Sequence, residues 1–390
     1  MLTRHGVGAI LLAVTATVVG RLFGVLELFV FGTALLALVI ASVVWVHARK
    51  VSLTVSRRVV PESLHVGDAG RVELRIENRS SLGTPPLTLW EPVAGLGGAT
   101  LRLAPLHRHE TAAANYRLPV TRRGTVVFGP LTVERRDPFG LSKQRRVVAG
   151  THEIVVLPAH VHLEMPVGMG GSGPLGDHLR VRALGRGGNE FHSLRDYVEG
   201  DDLRSIHWRA SARGETLKVR QVEPEGIRRC TVALDNSADE YSPEGFERAV
   251  SAAASACYAA SAAGLHLRLL VGAGVDLRNT SSAAAMLTLA NVAGVEVAQS
   301  ISFNAPSGDG LGMMIVVTGT PQSSTVAAAR RSLAPTDVLV VIACTAMGDV
   351  RNGFVADATG SNSLASSWAA LTGHGVRPVP AASPNAAASA

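Results

Sequence analysis

The chain has 390 residues, a formal net charge of +6 and a charged fraction of only 17%, with a mean hydropathy of +0.23. This length predicts about two or three domains, and the apolar excess argues against a wholly soluble protein. The basic residues are scattered and form no known nucleic-acid-binding module, so retention beside an anionic membrane explains the charge better than nucleic acid does. The cysteines fit neither a disulfide framework nor metal-ligand spacing and are expected to be buried, reduced thiols. They are Cys230, Cys257 and Cys344.

Residues 1–50 are predicted to form a transmembrane helical hairpin. A spanning helix needs about 20 apolar residues, and segment 28–46 supplies them directly. Segment 5–25 supplies them if Arg21 reaches the far interface with its long side chain. A cleaved signal peptide is the alternative for this first segment. Trp45, near the end of the second segment, suits an interfacial anchor.

Basic residues flank the hairpin unequally. Arg21 alone lies in the turn, and Arg4 precedes the first apolar segment. Because lysine and arginine favour the cytoplasmic side, we expect a two-pass protein of the cell membrane with both ends and all soluble domains in the cytoplasm. The residues that follow the hairpin and carry this expectation are Arg49, Lys50, Arg57 and Arg58.

Residues 51–165 read as short strands separated by turns. Alternating apolar and polar residues occur at 51–56 and 71–77, and the glycine-containing stretch 66–70 separates them. Several short strands at this spacing are typical of an antiparallel β-sandwich, here predicted to be Ig-like. Asp137, which precedes a proline, is interpreted as a turn former.

Residues 166–226 form a different kind of segment. The glycine-rich part, 166–189, has prolines beside its first glycine run and no lysine at nucleotide-loop spacing, so we interpret it as a flexible linker. The part that follows, 190–213, mixes acids, arginines and large aromatic residues at almost every position. This dense mixture of acidic, basic and aromatic residues predicts a fixed polar network.

The chain from 227 to 377 alternates between short apolar strands and helical segments. This alternation predicts an α/β domain with a doubly wound parallel sheet. Residues 378–390 contain mainly alanine, serine and proline and are expected to be disordered. The predicted strands are 230–235, 265–271, 313–318 and 338–343, and the predicted helices are 246–264, 281–292 and 323–333.

The polar segment 190–213 has three interpretations. In the first, Asp202 caps a short helix that begins at Leu203, Trp208 packs as an anchor, and arginines pair with nearby acids. In the second, arginine, tyrosine and tryptophan form a protein-docking surface. In the third, Asp201 and Asp202 act with His192 or His207 in acid–base or metal chemistry, although neighbouring residues on one helical turn point to different faces. The arginines expected to pair are Arg195, Arg204 and Arg213, with Asp196, Asp201 or Glu215 as partners.

The same segment resembles the signature of a bacterial family called domain of unknown function 58. The matching residues are Leu194, Arg195, Tyr197, Gly200, Asp201, Arg204, Ile206, Trp208, Ser211, Ala212, Arg213, Leu217 and Val219. This resemblance implies a C-terminal domain like von Willebrand factor A and an association with MoxR-type AAA+ ATPases, sometimes with membrane transglutaminase-like proteins. The implied role is an adaptor or assembly factor without catalysis. The residues expected to bind the partner are Arg195, Tyr197, Asp201, Arg204, Trp208 and Arg213.

The loop after the first strand of the α/β domain resembles the metal-dependent adhesion loop of von Willebrand A domains, Asp-x-Ser-x-Ser. Asp235 and Ser237 match it, whereas Asp239 stands where the second serine belongs. That family also takes a threonine and an aspartate from later loops, and the loop after Thr318 offers no carboxylate. We therefore favour a capping role for Asp235 and Ser237. A Mg²⁺-dependent binding module is the alternative function, and an uncharacterised hydrolase is the third.

Overall fold

The structure is a computed structural model that describes residues 1–48, 51–166, 173–185, 191–198, 206–213, 216–222, 227–272, 274–294, 301–303, 311–335, 337–348, 353–360 and 362–373. The chain divides into two compact units, Met1–Leu157 and Pro158–Ala390. Several predictions lie outside the described residues. They concern both glycine runs (167–172 and 186–190), Arg49, Lys50, the segment 199–205 with Asp201, Asp202 and Arg204, Glu215, and the tail 378–390.

Two long helices open the first unit, and strands make up the rest. The elements are α1 (Arg4–Phe23), α2 (Leu26–Ala48), β1 (Leu53–Val60), β2 (Leu64–His65), β3 (Ala69–Asn78), β4 (Leu87–Val93), β5 (Gly97–Leu103), β6 (Thr111–Pro119), β7 (Gly124–Phe128), β8 (Leu131–Arg136), β9 (Lys143–Ala149) and β10 (His152–Leu157). Both helices are long and apolar enough to span a membrane.

The two helices pack closely because glycines face the contact. A Cβ atom on Gly32 would lie 2.4 Å from Thr17 Oγ1, and one on Gly20 would lie 2.5 Å from the Phe29 nitrogen. The first helix ends at Gly24, whose φ of 68° is the left-handed conformation that glycine adopts at helix ends. The outer surface of the pair is apolar and exposed, as at Leu22, which suits lipid better than water.

The strands of the first unit form two sheets with one shared core. One sheet has the order β1-β3-β6, and the larger has the order β2-β10-β7-β4-β8-β9 with β5 paired to β4. Alternate residues of β3 and β4 point into this core, including Leu74 and Leu89. The strand pairs are antiparallel, as the predicted sandwich requires, except that β2 runs parallel to β10. The two-residue β2 carries too little sequence for such a prediction.

Arg57 differs from its expected role as a charge beside the membrane. Its side chain is only 8% exposed and pairs with the fully buried Glu91. The burial follows from its place on β1, opposite the core-facing Leu74. Arg58, the next residue, is exposed and pairs with Glu62 at 3.2 Å. Of these two arginines, only Arg58 is therefore exposed enough to face a lipid surface and to favour one orientation of the chain in a membrane.

The second unit contains a small two-stranded sheet and a six-stranded sheet with helices. The elements are α3 (Pro174–Gly185), β11 (Phe191–Asp196), α4 (Trp208–Ser211), β12 (Lys218–Val222), β13 (Ile227–Leu234), α5 (Pro243–Ala262), β14 (His266–Val271), β15 (Val275–Leu277), α6 (Ser282–Ala290), β16 (Leu311–Thr318), α7 (Ser324–Ser332), β17 (Val338–Ala343), β18 (Phe354–Asp357) and α8 (Ser363–Thr372). A 3-10 turn, Ala238–Glu240, follows β13.

The larger sheet has the order β15-β14-β13-β16-β17-β18. All neighbours are parallel except β15, which is antiparallel to β14. The chain moves outward in one direction from β13 to β14 and then returns to the other side of β13 with β16. This reversal is a topological switch point, the place where open α/β sheets collect ligands at the carboxyl ends of their strands.

Two features of the second unit differ from expectation. Helix α3 occupies part of the segment interpreted as a flexible linker, with Pro174 as its first residue and Leu175 fully buried. Proline at a helix start is favourable, but the adjacent glycines hide that signal in the sequence. The second difference is the tryptophan that packs as an anchor. We expected Trp208, but the buried tryptophan is Trp368 in α8, which is 1% exposed and donates from Nε1 to the Glu164 carbonyl at 2.8 Å.

Candidate functional site at the strand switch point

A buried carboxylate lies at the switch point of the six-stranded sheet. Asp235 directly follows β13 and is 4% exposed. Thr318 ends the neighbouring strand β16, and Thr325 lies in the first turn of α7. The parallel register of β13 and β16 brings the two strand ends together. Residues separated by about 90 positions in the chain thus meet at the edge where a ligand would be expected.

Both carboxylate oxygens of Asp235 accept hydrogen bonds. Oδ1 accepts from the Ser237 nitrogen at 3.1 Å and from Ser237 Oγ at 2.7 Å. Oδ2 accepts from Thr325 Oγ1 at 2.6 Å and from Thr318 Oγ1 at 3.4 Å. Among the described residues, Asp235 has no ion-pair partner. The positive end of α7 adds a partial charge on the side of Thr325.

Of the two residues predicted to cap the turn, Asp235 does so and Ser237 does not. Asp235 accepts from the nitrogen two residues ahead, which is the geometry of an Asx turn. Ser237 precedes the 3-10 turn, but its side chain makes no capping hydrogen bond and donates to Asp235 instead. The sequence predicts two caps, and the structure contains one, because the serine hydroxyl is already used.

The turn after Asp235 brings further ionisable groups near the carboxylate. Tyr241 donates from its hydroxyl to the Asp235 carbonyl at 2.8 Å. Burial and then the Asp235 charge raise the pKa of Tyr241 far above its usual value, so the phenol stays protonated. Burial and the Asp235 charge also raise the pKa of Glu240, and a hydrogen bond from Thr320 opposes that rise. Asp239 is exposed.

These residues fit a magnesium site only in part. Ser237, Thr318 and Thr325 present hard hydroxyl oxygens, and Asp235 presents a carboxylate, which are ligand types that Mg²⁺ accepts. The loop after Thr318 offers no carboxylate, and within the described ranges no three His, Cys, Asp or Glu side chains are grouped to hold a metal. The arrangement is complete as a hydrogen-bonded cluster that ties β13, β16 and α7 together.

All three cysteines are buried, free thiols. Burial raises the pKa of the Cys230 and Cys344 thiols to about 12. Burial likewise raises the pKa of Cys257 well above its usual value. A nucleophilic cysteine needs a depressed pKa and access to substrate, and these residues have neither. The prediction that the cysteines are buried is confirmed.

An open cleft of about 640 Å³ lies beside the Asp235 cluster. It is lined by the carboxyl end of β14 and by α6, with polar atoms from Asn236, Thr288 and Asn291. Asn236 also donates to the Ala293 carbonyl at 3.3 Å. The cleft borders the loop that carries Asp235, so an occupant there would contact the same rim.

The described part of the polar segment folds as a small β-ribbon. Strand β11 pairs antiparallel with β12, and the register sets Asp196 opposite Lys218. Lys218 Nζ lies 2.6 Å from Asp196 Oδ1. That hydrogen bond lowers the pKa of Asp196, with a smaller contribution from Thr216. The expected partner for Asp196 was an arginine. Cross-strand register selects the lysine instead.

Trp208 does not pack as the expected anchor. It begins α4 and is 65% exposed. The one-turn helix is capped by His207, whose Nδ1 accepts from the Ala210 nitrogen at 3.0 Å. The buried contact of this region joins Ile206 to Val219 instead. The one-turn α4 is too short to present an apolar face that would cover the tryptophan.

The arginines of the segment that the structure describes are also accessible. Arg195 and Arg213 are exposed, and Tyr197 is half-buried with its backbone nitrogen bonded to the Leu217 carbonyl at 2.8 Å. Arg195 donates to the Asp196 carbonyl at 3.1 Å. Asp201, Arg204 and Glu215 lie outside the described residues, so the network of arginine–carboxylate pairs stays a prediction.

Residues 193–286 match the sequence model of a family described as "Protein of unknown function DUF58". A curated relative, "Uncharacterized protein YeaD" from Bacillus subtilis, is 26% identical over 242 residues. The chain is thus similar to the DUF58 family over the segment 193–286. The alignment covers 58% of this chain and 55% of YeaD, so the chain spans about half the length of that relative.

The solved structures to which the chain is similar match it only weakly. The CARDB domain of PF1109 from Pyrococcus furiosus is 14% identical, with 27% of this chain and 86% of that chain covered at a TM-score of 0.21. The alkylpurine DNA glycosylase AlkC of Pseudomonas fluorescens is 13% identical, with 32% and 38% covered at a TM-score of 0.19.

The DUF58 match contains both features described above. It includes the described ribbon from residue 193 and the whole of β13, the Asp235 loop, α5 and most of α6. Three residues of the site escaped the sequence analysis, Thr318, Thr325 and Tyr241. Thr325 has a usable signal, since it follows the capping Ser323 at the start of a helix. Tyr241 has none, because its hydroxyl bonds to backbone carbonyls.

Proposed function

We propose that this protein is a membrane-anchored adaptor or assembly factor that works with a MoxR-type AAA+ ATPase and has no catalysis of its own. Three features support the proposal. Two N-terminal helices are able to span a membrane. The Asp235 cluster uses both carboxylate oxygens internally. Trp208, Arg209 and Arg213, in the segment that bears the family signature, are exposed.

The exposed Trp208 is the observation that carries the proposal. A tryptophan with 65% of its surface accessible adds little to the stability of its own domain. The exposed Arg209 and Arg213 lie on the same one-turn helix and the turn after it. Tryptophan and arginine are the side chains most enriched in interface hot spots. A protein-docking role therefore explains this combination better than a structural one.

Capture of the ATPase tests this role. The full chain in detergent would be immobilised, and binding of the MoxR-type ATPase from the same organism would be measured with nucleotide present. We expect Trp208→Ala to weaken binding by about tenfold or more. Val181→Ala, at another exposed apolar side chain, is the matched control and should bind normally. Equal binding by both variants would remove the docking role from the signature.

The proposed location is the cytoplasmic membrane with both soluble units inside the cell. Arg58 and the surface of β9 support that orientation, because exposed basic residues near spanning helices favour the cytoplasmic side. A reporter fused after Ala390 should be active only in its cytoplasmic form. Activity of an export-dependent reporter at that position would reverse the orientation. A membrane transglutaminase-like protein is a further candidate partner for the same assembly.

A metal-dependent binding module of the von Willebrand A type is the second candidate. The sheet order and the convergence of Ser237, Thr318 and Thr325 on Asp235 favour it. Calorimetry with Mg²⁺ on the full chain distinguishes the two functions. The adaptor proposal expects weak or undetectable binding at millimolar Mg²⁺. Tight binding that Asp235→Ala abolishes would favour the metal module. No observation favours a hydrolase.

A further inference from the structure

We infer that the β8–β9 hairpin of the first unit, residues 131–149, contacts the headgroup layer of an anionic bilayer beside α1 and α2. The inference rests on the proposed function in one respect, since it requires those helices to span a membrane. Beyond the spanning helices, the hairpin is a second attachment of the protein to the membrane. The turn between β8 and β9 presents Phe139 to lipid, and the strand β9 presents basic side chains.

The turn of this hairpin is attached to the first residues of α1. Thr3 donates from its nitrogen to the Leu141 carbonyl at 2.9 Å and from Oγ1 to the Gly140 carbonyl at 2.6 Å. Gly6 comes so near that a Cβ atom there would lie 2.0 Å from the Leu141 oxygen. A β-bridge between Leu2 and Ser142 continues the contact. The start of the helix and the turn thus form one backbone-bonded structure.

The end of α2 is attached to the same hairpin. Arg135 in β8 is 3% exposed, and its guanidinium lies 5.5 Å from the centre of the Trp45 ring. Arg135 Nη2 also donates to the Trp45 carbonyl at 3.4 Å. Tryptophan near the end of a spanning helix is typical of the lipid–water interface. Both helices therefore fix the hairpin at one membrane surface.

The depth of the turn follows from helix length. The 20 residues of α1 span about 30 Å at 1.5 Å per residue, which matches the hydrocarbon thickness of a bilayer. The first turn of α1 must then lie at the interface, and the turn bonded to Thr3 lies there with it. Phe139 immediately precedes Gly140 in that turn and is 65% exposed. An accessible aromatic side chain at this depth suits the interface.

The turn holds Phe139 in its exposed position through internal hydrogen bonds. Asp137 is 4% exposed, and its carboxylate accepts from the Ser142 nitrogen and, at 3.0 Å, from the Phe139 nitrogen. The turn is therefore held by internal hydrogen bonds while Phe139 projects outward. The prediction of Asp137 as a turn former is confirmed, and the turn it forms displays an aromatic residue.

The charge of the hairpin complements anionic lipid. From 134 to 146 the sequence has five arginine or lysine residues against Glu134 and Asp137, which leaves a net charge of +3. Glu134 interacts with Arg136, Lys143 and Arg145. Arg146 and Val147 are exposed on β9, which is the edge strand of its sheet and lies against α2. Basic residues close to a bilayer attract anionic headgroups.

Site-specific fluorescence on the full chain tests this contact. Phe139→Cys would carry an environment-sensitive dye in nanodiscs of phosphatidylcholine with phosphatidylglycerol, and the three native cysteines, being buried, should stay unlabelled. Leu96→Cys is the matched control, because Leu96 is 39% exposed and follows the end of β4. The turn that carries Phe139 lies near the start of β4, since β4 pairs antiparallel with β8. We expect blue-shifted emission and quenching by headgroup-proximal spin-labelled lipid at 139 only. Equal, water-like emission at both sites would overturn the inference.

Two further variants test the attachment and the charge. Gly6→Val should separate the turn from α1 and reduce quenching at 139, whereas Gly8→Val should not, since nothing lies within 4 Å of a Cβ there. Arg146→Gln should reduce the preference for phosphatidylglycerol by roughly fivefold, the value of one basic side chain near an anionic surface. Arg117→Gln, on the exposed far end of β6, should leave it unchanged. No difference within either pair would contradict the corresponding attachment.

Alkaline carbonate extraction separates this inference from the membrane anchor itself. If the full chain is extracted from membranes, the helices do not span and the anchoring in the proposed function fails. If the chain is retained and position 139 still reads as aqueous, the anchor stands and the lipid contact of the hairpin alone is wrong.

Discussion

Two buried carboxylates, one in each unit, are satisfied in opposite ways. Glu91 in the first unit is fully buried, pairs with Arg57 and accepts from the Tyr116 hydroxyl at 2.6 Å. Asp235 in the second unit is 4% exposed and is bonded by hydroxyls and an amide. One negative charge is neutralised by a buried cation. The other has no cationic partner among the described residues.

The positions of these carboxylates explain the difference. Arg57, Glu91 and Tyr116 come from β1, β4 and β6, so their cluster joins the two sheets inside the core. Burial, the Glu91 hydrogen bond and the Glu91 charge raise the pKa of Tyr116 far above its ordinary value, which keeps it a donor. Asp235 lies instead at strand ends, where α/β sheets collect ligands. The first cluster joins the two sheets through an ion pair, and the second joins two strand ends and α7 through hydroxyl groups.

The largest expected effect comes from breaking the Glu91 cluster. Glu91→Ala leaves Arg57 buried without its carboxylate, and such losses destabilise by roughly 3–5 kcal/mol. Amide hydrogen exchange of β3 and β4 in the full chain would measure it. The double variant Arg57→Met/Glu91→Leu is the control and should recover most of the loss, because it removes both charges. A single variant as stable as the wild type would show that Glu91 is not needed to neutralise Arg57.

The Asp235 cluster should respond less strongly. Asp235→Asn replaces one accepting oxygen by a donor that faces hydroxyl groups, which should cost about 1–3 kcal/mol. Hydrogen exchange of β13 and β16 is the measurement, and Asp239→Asn, at an exposed carboxylate, is the control. If Mg²⁺ protects the wild-type amides and not those of Asp235→Asn, the carboxylate serves a cation and the contrast with Glu91 becomes sharper.

A third carboxylate tests how much exposed cations contribute. Burial by itself raises the pKa of Glu134, but Arg136, Lys143 and Arg145 outweigh it and hold the pKa below its usual value. A depressed pKa means that the stabilisation is present above the ordinary glutamate pKa of about 4.3 and is lost as pH falls through the lower folded value. Because Arg136 and Arg145 are mostly exposed, we expect less than about 1 kcal/mol.

Acid titration with hydrogen exchange of β8 and β9 would check that value. Wild-type protection should fall more than that of Glu134→Gln below about pH 4, the range in which glutamate protonates. At neutral pH the variant should already lack the contribution. Parallel titration curves for the two proteins would mean that the arginines around Glu134 add nothing measurable.

The sequence predicts the regular elements of this chain better than its polar contacts. Periodicity locates α5, and the observed strand β17 has the predicted bounds, 338–343, because long amphipathic or apolar runs carry their own signal. Strand β18 and helix α8 were missed, since they are short and glycine and serine lie beside them. The burial of Arg57 was equally hidden. An arginine after a membrane segment looks like a surface charge until strand pairing shows which side of β1 it occupies.

The candidate site shows the same limit. Asp235 and Ser237 could be found from a local pattern, but Thr318 and Thr325 join them only through parallel pairing of β13 with β16. Trp208 was expected to be buried because tryptophan usually is. Its one-turn helix gives it no apolar surface to cover. Local sequence therefore identifies the chemistry of the loop, and tertiary register decides which side chains complete it.

The smallest expected effect is on stability at Trp208, and it separates the signature from both buried clusters. Trp208→Ala should change the free energy of unfolding by no more than about 0.5 kcal/mol, as for other exposed positions. The same substitution should weaken partner binding, because Trp208 is one of the signature residues expected to bind the partner. Trp368→Ala is the matched control in the same unit. Trp368 is 1% exposed and donates to the Glu164 carbonyl, so its truncation should cost about 3–5 kcal/mol. Thermal unfolding of both variants in detergent, followed by ATPase capture of Trp208→Ala, gives the decisive pair of measurements. A Trp208→Ala protein that melts as early as Trp368→Ala would make the signature part of the core. A protein that melts normally and loses its partner would place function on the exposed ribbon, apart from the clusters that hold the fold together.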